Sequence, residues 1–167
     1  TIEDTTAPVI DPAASDATVE CDGAGNGAEL TAWLDSNGGA SATDNCGDVT
    51  WSNDFTALSD DCGETGSASV TFTATDDCEN SSSTTATFTI EDTTDPVLTN
   101  DPLITIPCDE YPDDIVYASA SADCGDVTIT FIDIPVSGGC LVPVGAYLHT
   151  YTATDDCGNT STSEQVV

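Results

Sequence analysis

Thr73-Ala-Thr-Asp-Asp-Cys78 returns unchanged as Thr152-Ala-Thr-Asp-Asp-Cys157, and this repeated stretch is the strongest indication of the fold in the sequence. In each, threonine alternates with apolar residues and the run ends in two aspartates and a cysteine. Alternation with a period of two is typical of a half-buried β-strand, and the polar end of the run indicates a turn. The chain is therefore predicted to repeat a strand and its turn.

Other motifs recur in the same order. Cys46-Gly-Asp-Val-Thr50 returns as Cys124-Gly-Asp-Val-Thr128, and Asp4-Thr-Thr-Ala-Pro-Val9 returns as Asp92-Thr-Thr-Asp-Pro-Val97. A fixed order of motifs predicts two copies of one module. We place the first copy at residues 1–89 and the second at 90–167.

Further strand patterns lie at Ala86–Ile90 and Val127–Phe131. Short alternating strands separated by turn residues favour an all-β fold with two tandem immunoglobulin-like β-sandwich modules. A short helical insertion is expected in the first module near residues 28–36, before Asn37-Gly-Gly39. There Leu30, Trp33 and Leu34 should cover one end of the core.

The charge of the chain limits its partners. It contains 31 Asp and Glu residues, no Lys or Arg and one His, so its formal net charge is −31. Nucleic acid and anionic membrane surfaces are excluded as partners on electrostatic grounds. No stretch is long and apolar enough to insert into a membrane. Because nothing basic pairs with the acids, their repulsion must be reduced by salt or by bound cations.

The motifs as a set resemble the HYR-like, immunoglobulin-type repeats of large cell-surface adhesins from Bacteroidota-type bacteria. The stretches that carry the resemblance are Asp4–Val9, Val19–Cys21, Ala42–Cys46, Thr73–Cys78, Val142–Ala146 and Tyr151–Asp155. One departure is Glu79, which stands where the family usually has glycine after the cysteine, so the turn of the first module is expected to differ there.

The resemblance implies a non-catalytic structural segment of a secreted adhesin, stalk or extracellular filament. Its partners would be further copies of the repeat, end to end. An alternative is a module that binds carbohydrate or cells, and another is a spacer domain of a secreted enzyme. Exposed aromatic residues on one sheet face would favour the binding module.

The eight cysteines occupy matched positions in the two modules, which predicts disulfides and an oxidising, extracellular or cell-surface location. Four cysteines allow three pairings in each module. Strand directions in a sandwich of this type favour Cys21–Cys62 with Cys46–Cys78, and Cys108–Cys140 with Cys124–Cys157. A different pairing would serve as a staple equally well.

The aspartates suggest calcium, which prefers carboxylate and carbonyl oxygens. No EF-hand loop is present, so any site must be assembled from separate loops. The first predicted set joins loop residues to the entry segment, and the second does the same across the junction of the modules. The sets are Asp4, Asp44, Asp76 and Asp77, and Asp92, Asp95, Asp123, Asp155 and Asp156. Solvated surface acid is the plainer interpretation.

Two threonines and the single histidine of the chain also lie in recognisable surroundings. Thr5 and Thr93 lie in Asp-Thr-Thr stretches that resemble an O-glycosylation motif of Bacteroidota-type secreted proteins. His149 is the only histidine, and an exposed strand position is expected for it. Neither the aspartate pairs nor His149 indicates a catalytic site, so no enzyme is predicted.

Overall fold

The computed structural model describes residues 3–100, 103, 118–135 and 147–166. The chain divides into two compact units, Thr1–Asp92 (unit 1) and Thr93–Val167 (unit 2). The repeat placed the boundary at residue 89, but the strand Ser81–Glu91 continues beyond it. Its last residue, Glu91, still lies opposite Glu20, so the backbone pairing of unit 1 holds the chain past residue 89.

Unit 1 is built from short strands and one helix. Its elements are β1 (Val9–Ile10), β2 (Ala17–Glu20), α1 (Gly27–Asp35), a 3₁₀ turn (Asn37–Gly39), β3 (Ala42–Thr43), β4 (Thr50–Asn53), β5 (Gly66–Thr75) and β6 (Ser81–Glu91). Four strands form a sheet in the order β2-β6-β5-β4, and β1 pairs with β3. β2 runs parallel to β6, whereas the other pairs are antiparallel.

The core of unit 1 lies on one face of the β5–β6 pair. Alternate residues of the two strands are almost inaccessible to solvent, as the period of two predicts. They are Val70, Phe72, Ala74, Ala86, Phe88 and Ile90. Threonines and serines occupy the other face, so the sequence pattern alone fixes which side of this sheet packs inward.

Helix α1 covers this core through one aromatic side chain. Trp33 is buried, and its ring centroid lies 5.2 Å from that of Phe72 and 5.4 Å from that of Phe88. Its indole Nε1–H donates to the carbonyl of Ser15 at 3.1 Å. Trp33 therefore covers the core as predicted, while Leu30 and Leu34 are only half-buried.

The chain leaves α1 through a glycine that no other residue can replace easily. Gly38 has a φ of 64°, and a Cβ there would lie 3.0 Å from the Ala14 side chain and 3.1 Å from the Phe72 ring. The left-handed backbone and the close approach both require glycine. The predicted stop signal at Asn37-Gly-Gly39 thus also brings the chain against the core.

The described part of unit 2 follows the same plan. Its elements are β7 (Val97–Asn100), β8 (Ala118–Ser121), β9 (Val127–Pro135), β10 (Tyr147–Asp155) and β11 (Thr160–Val166). The strands β11-β10-β9 form an antiparallel sheet, and β7 pairs antiparallel with β8. A parallel bridge joins Leu103 to Val166, on the side of β11 where β2 adjoins β6 in unit 1.

The prediction of an all-β fold is confirmed, and the described residues include one short helix, α1. The β5–β6 and β10–β11 hairpins contain the two repeated stretches, each at the end of its first strand. None of the helical residues in the described ranges forms an apolar span of the length that a membrane requires.

Candidate cation site

Three aspartates of unit 1 meet beside the β5–β6 turn. Each carboxylate Oδ1 accepts a hydrogen bond from the backbone N–H two residues later: Asp4 from Thr6 at 3.0 Å, Asp44 from Cys46 at 2.8 Å and Asp76 from Cys78 at 2.8 Å. This local bond is the Asx turn that aspartate favours. The fold therefore brings three Asx turns from separate segments to one place.

The three carboxylates are close enough to share one cation. Asp4, Asp44 and Asp76 each offer an oxygen, and these oxygens lie within 4.8 Å of one another. Calcium binds oxygens at about 2.3–2.6 Å, so ligands on opposite sides of the ion are about 5 Å apart. The spacing and the hard oxygen donors both fit calcium. The three carboxylates supply part of the six to eight oxygens that the ion requires.

Asn80 ties two of these segments together. Its side-chain amide donates to Asp76 Oδ2 at 2.8 Å and to the carbonyl of Asp4 at 3.3 Å, while its backbone N–H donates to Asp76 Oδ1 at 2.9 Å. Asp76 is buried, so its charge depends on these donors. The same bonds thus give Asp76 a structural role whether or not a cation is bound.

Unit 2 contains the same turn. Asp155 Oδ1 accepts the backbone N–H groups of Cys157 at 3.0 Å and Asn159 at 2.9 Å, and its Oδ2 accepts the Asn159 amide at 3.0 Å. The first aspartate of each Asp-Asp-Cys stretch therefore organises the turn. Sequence reasoning missed this role, although the asparagine at the same spacing in both copies was the available signal.

The two turns have the same backbone despite the departure at Glu79. Glu79 adopts a φ of 69° where Gly158 adopts 89°. The N–H of each residue donates to the carbonyl of the buried aspartate, at 3.3 Å and 3.2 Å. The expectation that this turn differs in the first copy is wrong. Glu79 instead adopts the left-handed conformation, which is about 1–2 kcal/mol less favourable for a residue that carries a Cβ.

Hydrogen bonding lowers the pKa of Asp76, chiefly through the Asn80 side chain. Burial raises this pKa and is the second largest cause, but the N–H groups of Asn80 and Cys78 lower it further, so the pKa lies below its ordinary value. A lowered pKa in the folded state means that the unfolded chain binds the proton more readily. The contribution of Asp76 to stability is thus present above about pH 4, near the ordinary aspartate pKa, and is lost as pH falls through the lowered value.

We expect Asp76→Asn to flatten this acid dependence. The amide keeps an oxygen acceptor at Oδ1 but carries no charge, so unit 1 of the variant should lose less stability than the unchanged protein between pH 5 and pH 2. Tryptophan fluorescence in urea reports unit 1, because both tryptophans, Trp33 and Trp51, lie in it. Asp77→Asn removes the same charge from the exposed neighbouring residue and should keep the original acid dependence.

The other aspartates predicted to bind calcium are not part of this cluster among the described residues. Among the described residues, the acidic group close enough to share a cation is Asp4, Asp44 and Asp76, and Asp77 is not part of it. Asp156 Oδ2 instead accepts the N–H of Asp126 at 2.9 Å. The predicted set of Asp92, Asp95, Asp123, Asp155 and Asp156 draws on both units and stays a prediction. The position equivalent to Asp44, two residues before the cysteine, is Ala122 in unit 2.

The cysteines agree with the prediction in part. Cys21, Cys62, Cys124 and Cys157 are disulfide-bonded. Cys21 donates its N–H to the carbonyl of Glu91, and Cys62 accepts at its carbonyl from Thr65, next to the Gly66–Ile90 pair. Both thus lie at the end of the sheet that the predicted Cys21–Cys62 pairing requires. Cys108 and Cys140 lie outside the described residues.

Cys46 and Cys78 differ from the prediction, because both are exposed free thiols in the structure. The charge of Asp4 is the largest of several causes that raise the pKa of Cys46, followed by partial desolvation of the thiol and by the charges of Asp44, Cys78 and Asp76. Their counterparts in unit 2, Cys124 and Cys157, are disulfide-bonded. The same pair of positions thus occurs in two chemical states in one chain.

The expectation of an exposed His149 is wrong. The residue is 3% exposed and lies on the inner face of β10, between Asp133 of β9 and Gln165 of β11. Its Nε2 lies 3.2 Å from Asp133 Oδ1 and its Nδ1 lies 3.2 Å from the Tyr151 hydroxyl, which donates to Gln165 Oε1 at 2.8 Å. Burial of an imidazole is offset by such partners.

Two kinds of modification motif have different surroundings. Thr5 and Thr93 are exposed, as O-glycosylation requires, and their modification stays a prediction. The asparagines of the sequons Asn80-Ser-Ser82 and Asn159-Thr-Ser161 use their amide nitrogens to bond Asp76 and Asp155. A glycan on either amide would disrupt the turn.

The chain matches no protein-family model and no curated protein. A solved structure of protocadherin gammaB7, described as an EC3-6 cis-dimer, is similar over 75% of this chain, with 17% sequence identity and a TM-score of 0.37. The matched part covers 42% of that protocadherin chain.

Proposed function

We propose that this chain is a structural repeat segment of a secreted surface adhesin, stalk or extracellular filament. The observation that carries the proposal is the repetition of one hydrogen-bonded turn in two compact β units, through Asp76 and Asn80 and through Asp155 and Asn159. Units of this kind supply length and surface, and their strand-rich cores are small enough to profit from disulfides.

The cysteines and the charge support an extracellular setting. Disulfides persist in oxidising compartments, and four of the described cysteines are bonded. The HYR-like resemblance points to adhesion, with further copies of the repeat as partners.

The rival carbohydrate-binding or cell-binding module receives little support from the tryptophans, because Trp33 is buried against Phe72 and Phe88 and Trp51 is half-buried.

Imaging the native protein from which this segment comes tests the structural role. A beaded thread or a helical filament, seen by electron microscopy, is the expected result. Labelling with an antibody raised against this segment should decorate the thread along its length. Compact globular particles, or label confined to one domain attached to a globular body, would contradict the proposal and favour a spacer domain of a secreted enzyme.

Calcium is the second part of the proposal. Asp4, Asp44 and Asp76 would hold the ion through their carboxylates, and the ion would tie the entry segment to the β5–β6 turn. It would offset the repulsion of three charges that no Lys or Arg of the chain can neutralise. An ion bound only by the folded state stabilises it by about 2.7 kcal/mol at a hundredfold excess over its dissociation constant.

Calcium should therefore raise the unfolding midpoint of unit 1 more than sodium does at the same ionic strength, since screening acts without coordination. Tryptophan fluorescence in urea measures the difference. The double variant Asp4→Asn with Asp44→Asn should abolish it while keeping the side-chain oxygens that accept the turn N–H groups.

The matched control is Glu29→Gln with Asp35→Asn, which removes two exposed charges from α1, away from the cluster. This control should keep the full calcium response. Equal effects of calcium and sodium on the unchanged protein would show that the three aspartates are only structural and solvated acids.

A further inference from the structure

Cys46 and Cys78 lie at the ends of two turns that touch each other. Each cysteine donates its N–H to the aspartate two residues before it, Asp44 or Asp76. Oxygens of these aspartates lie within 4.8 Å of each other. The hydrogen bonds therefore bring the two cysteine-bearing turns together, although neither thiol is bonded in the structure.

A second contact joins the residues next to the cysteines. A Cβ added to Gly47 would lie 3.1 Å from the carboxylate oxygen Oδ2 of Asp77. In unit 2 the corresponding segments meet through the hydrogen bond from the N–H of Asp126 to Asp156. The loop after the first cysteine thus contacts the turn before the second cysteine in both units.

The two units differ in the state of the sulfurs. Cys124 is fully buried and both Cys124 and Cys157 are disulfide-bonded, whereas Cys46 and Cys78 are exposed thiols. Exposed cysteines exchange with disulfides in solution far more readily than buried ones. Equivalent positions, contacting loops and exposure together distinguish this pair from an ordinary pair of surface cysteines.

We propose that Cys46 and Cys78 form a reversible thiol–disulfide pair that opens and closes a covalent staple in unit 1. The oxidant is a low-molecular-weight disulfide, and a cationic one should react best. Asp4, Asp44 and Asp76 surround this end of the unit, and the chain carries a net charge of −31, so anionic reagents are repelled. The proposal does not require the adhesin function or a bound cation.

The reaction consists of two exchanges. The sulfur of one cysteine attacks the reagent disulfide, whose S–S bond breaks, and one reagent thiol leaves. The sulfur of the other cysteine then attacks the mixed disulfide and releases the second reagent thiol. The two cysteines are oxidised, the reagent is reduced to two thiols, and these thiols take up the two protons.

Mass spectrometry of the whole chain tests the proposal, with cystamine as the cationic reagent and oxidised glutathione as the anionic one. In a mildly reducing buffer, a neutral maleimide should label Cys46 and Cys78. After cystamine treatment, digestion at acidic residues without reduction should yield one crosslink between the two cysteines. Cystamine should react about tenfold faster than oxidised glutathione at low salt, and the ratio should shrink as salt is added.

Cys46→Ser provides the control, because Cys78 then has no partner and should retain one cysteamine as a stable mixed disulfide. In the unchanged protein, closure should raise the urea midpoint of the tryptophan transition, while the His149 ring signals in NMR, which report unit 2, should be unaffected. Two stable mixed disulfides without a crosslink would overturn the proposal. So would a pair that stays oxidised in the mild buffer and resists reduction as strongly as Cys124 and Cys157.

Discussion

Phe72→Ala should destabilise unit 1 by about 3–5 kcal/mol, the usual cost of removing a fully buried aromatic ring. Phe72 is inaccessible to solvent and lies at the centre of the inner face of β5. Its ring meets Trp33 edge to face at a centroid distance of 5.2 Å. A small domain is stable by about 5–15 kcal/mol in total, so the variant should be close to unfolded at 37 °C.

The chain allows this effect to be measured in one unit alone. Trp33 and Trp51 both lie in unit 1, so the urea dependence of their emission follows unit 1 without a contribution from unit 2. The matched control is Thr73→Ala, on the same strand but on its opposite face, which should cost less than about 1 kcal/mol. Equal losses in the two variants would show that Trp33 and Phe72 do not form the core described above.

Much of this core could be predicted from the sequence because it depends on local periodicity. The alternation in Val70-Thr-Phe-Thr-Ala74 fixes which side chains face inward, whatever the partner strand. The helix near residues 28–36 and its stop at Asn37-Gly-Gly39 were predictable for the same reason, since caps and glycines act within a few residues. The repeat placed the module boundary at residue 89, and the compact units divide after Asp92, because β6 pairs with β2, a strand far away in sequence, through Glu91.

The surroundings of His149 could not be predicted in this way. The equivalent residues of unit 1 are Val70, Phe72 and Ala86, all apolar and buried. Unit 2 has His149, Tyr151 and Gln165 at these positions. The Tyr151 hydroxyl lies 3.2 Å from His149 Nδ1 on the same strand and donates to Gln165 Oε1 on the neighbouring strand. A polar residue in an alternating strand usually faces water, and only the cross-strand register shows that these residues face inward together.

The cation site, too, could be predicted only in part from local sequence patterns. The sequence indicated loops rich in aspartate at one end of each module, and the structure brings Asp4, Asp44 and Asp76 together. It did not show that Asp76 is held by Asn80 whereas Asp77 points elsewhere, because two adjacent aspartates have the same local signal. Which of the two aspartates faces inward depends on the geometry of the turn. That geometry rests on a local hydrogen bond from Asn80 to Asp76 and on a long-range one from Asn80 to the carbonyl of Asp4.

Replacing both Cys21 and Cys62 with alanine should lower the free energy of unfolding of unit 1 by about 4 kcal/mol. The predicted Cys21–Cys62 bond closes a loop of 41 residues (62 − 21), and the entropy that such a loop removes from the unfolded chain gives this value. The structural reason is the position of Cys21 directly after β2. That edge strand has only four paired residues on β6, so the disulfide supplies much of what holds it.

The matched control is the double variant Cys46→Ala with Cys78→Ala, compared in the same mildly reducing buffer. It removes two sulfurs that are free thiols in the structure and should change the tryptophan transition in urea by less than about 1 kcal/mol. Peptide mapping without reduction identifies the partner of Cys21, using a protease that cuts at acidic residues because the chain offers trypsin no Lys or Arg.

A crosslink between Cys21 and Cys62 would confirm this disulfide, provided that a large loss of stability occurs in the variant without Cys21 and Cys62 and not in the control. A bond from Cys21 to another cysteine would refute the pairing. Equal losses of unfolding free energy in the two double variants would refute the energetic distinction between a permanent and a reversible disulfide. The difference has a physical basis, because Cys21 is 6% exposed whereas Cys46 and Cys78 are open to solvent. A reductant in solution reaches exposed sulfurs first, so unit 1 should lose its reversible staple before the one that anchors β2.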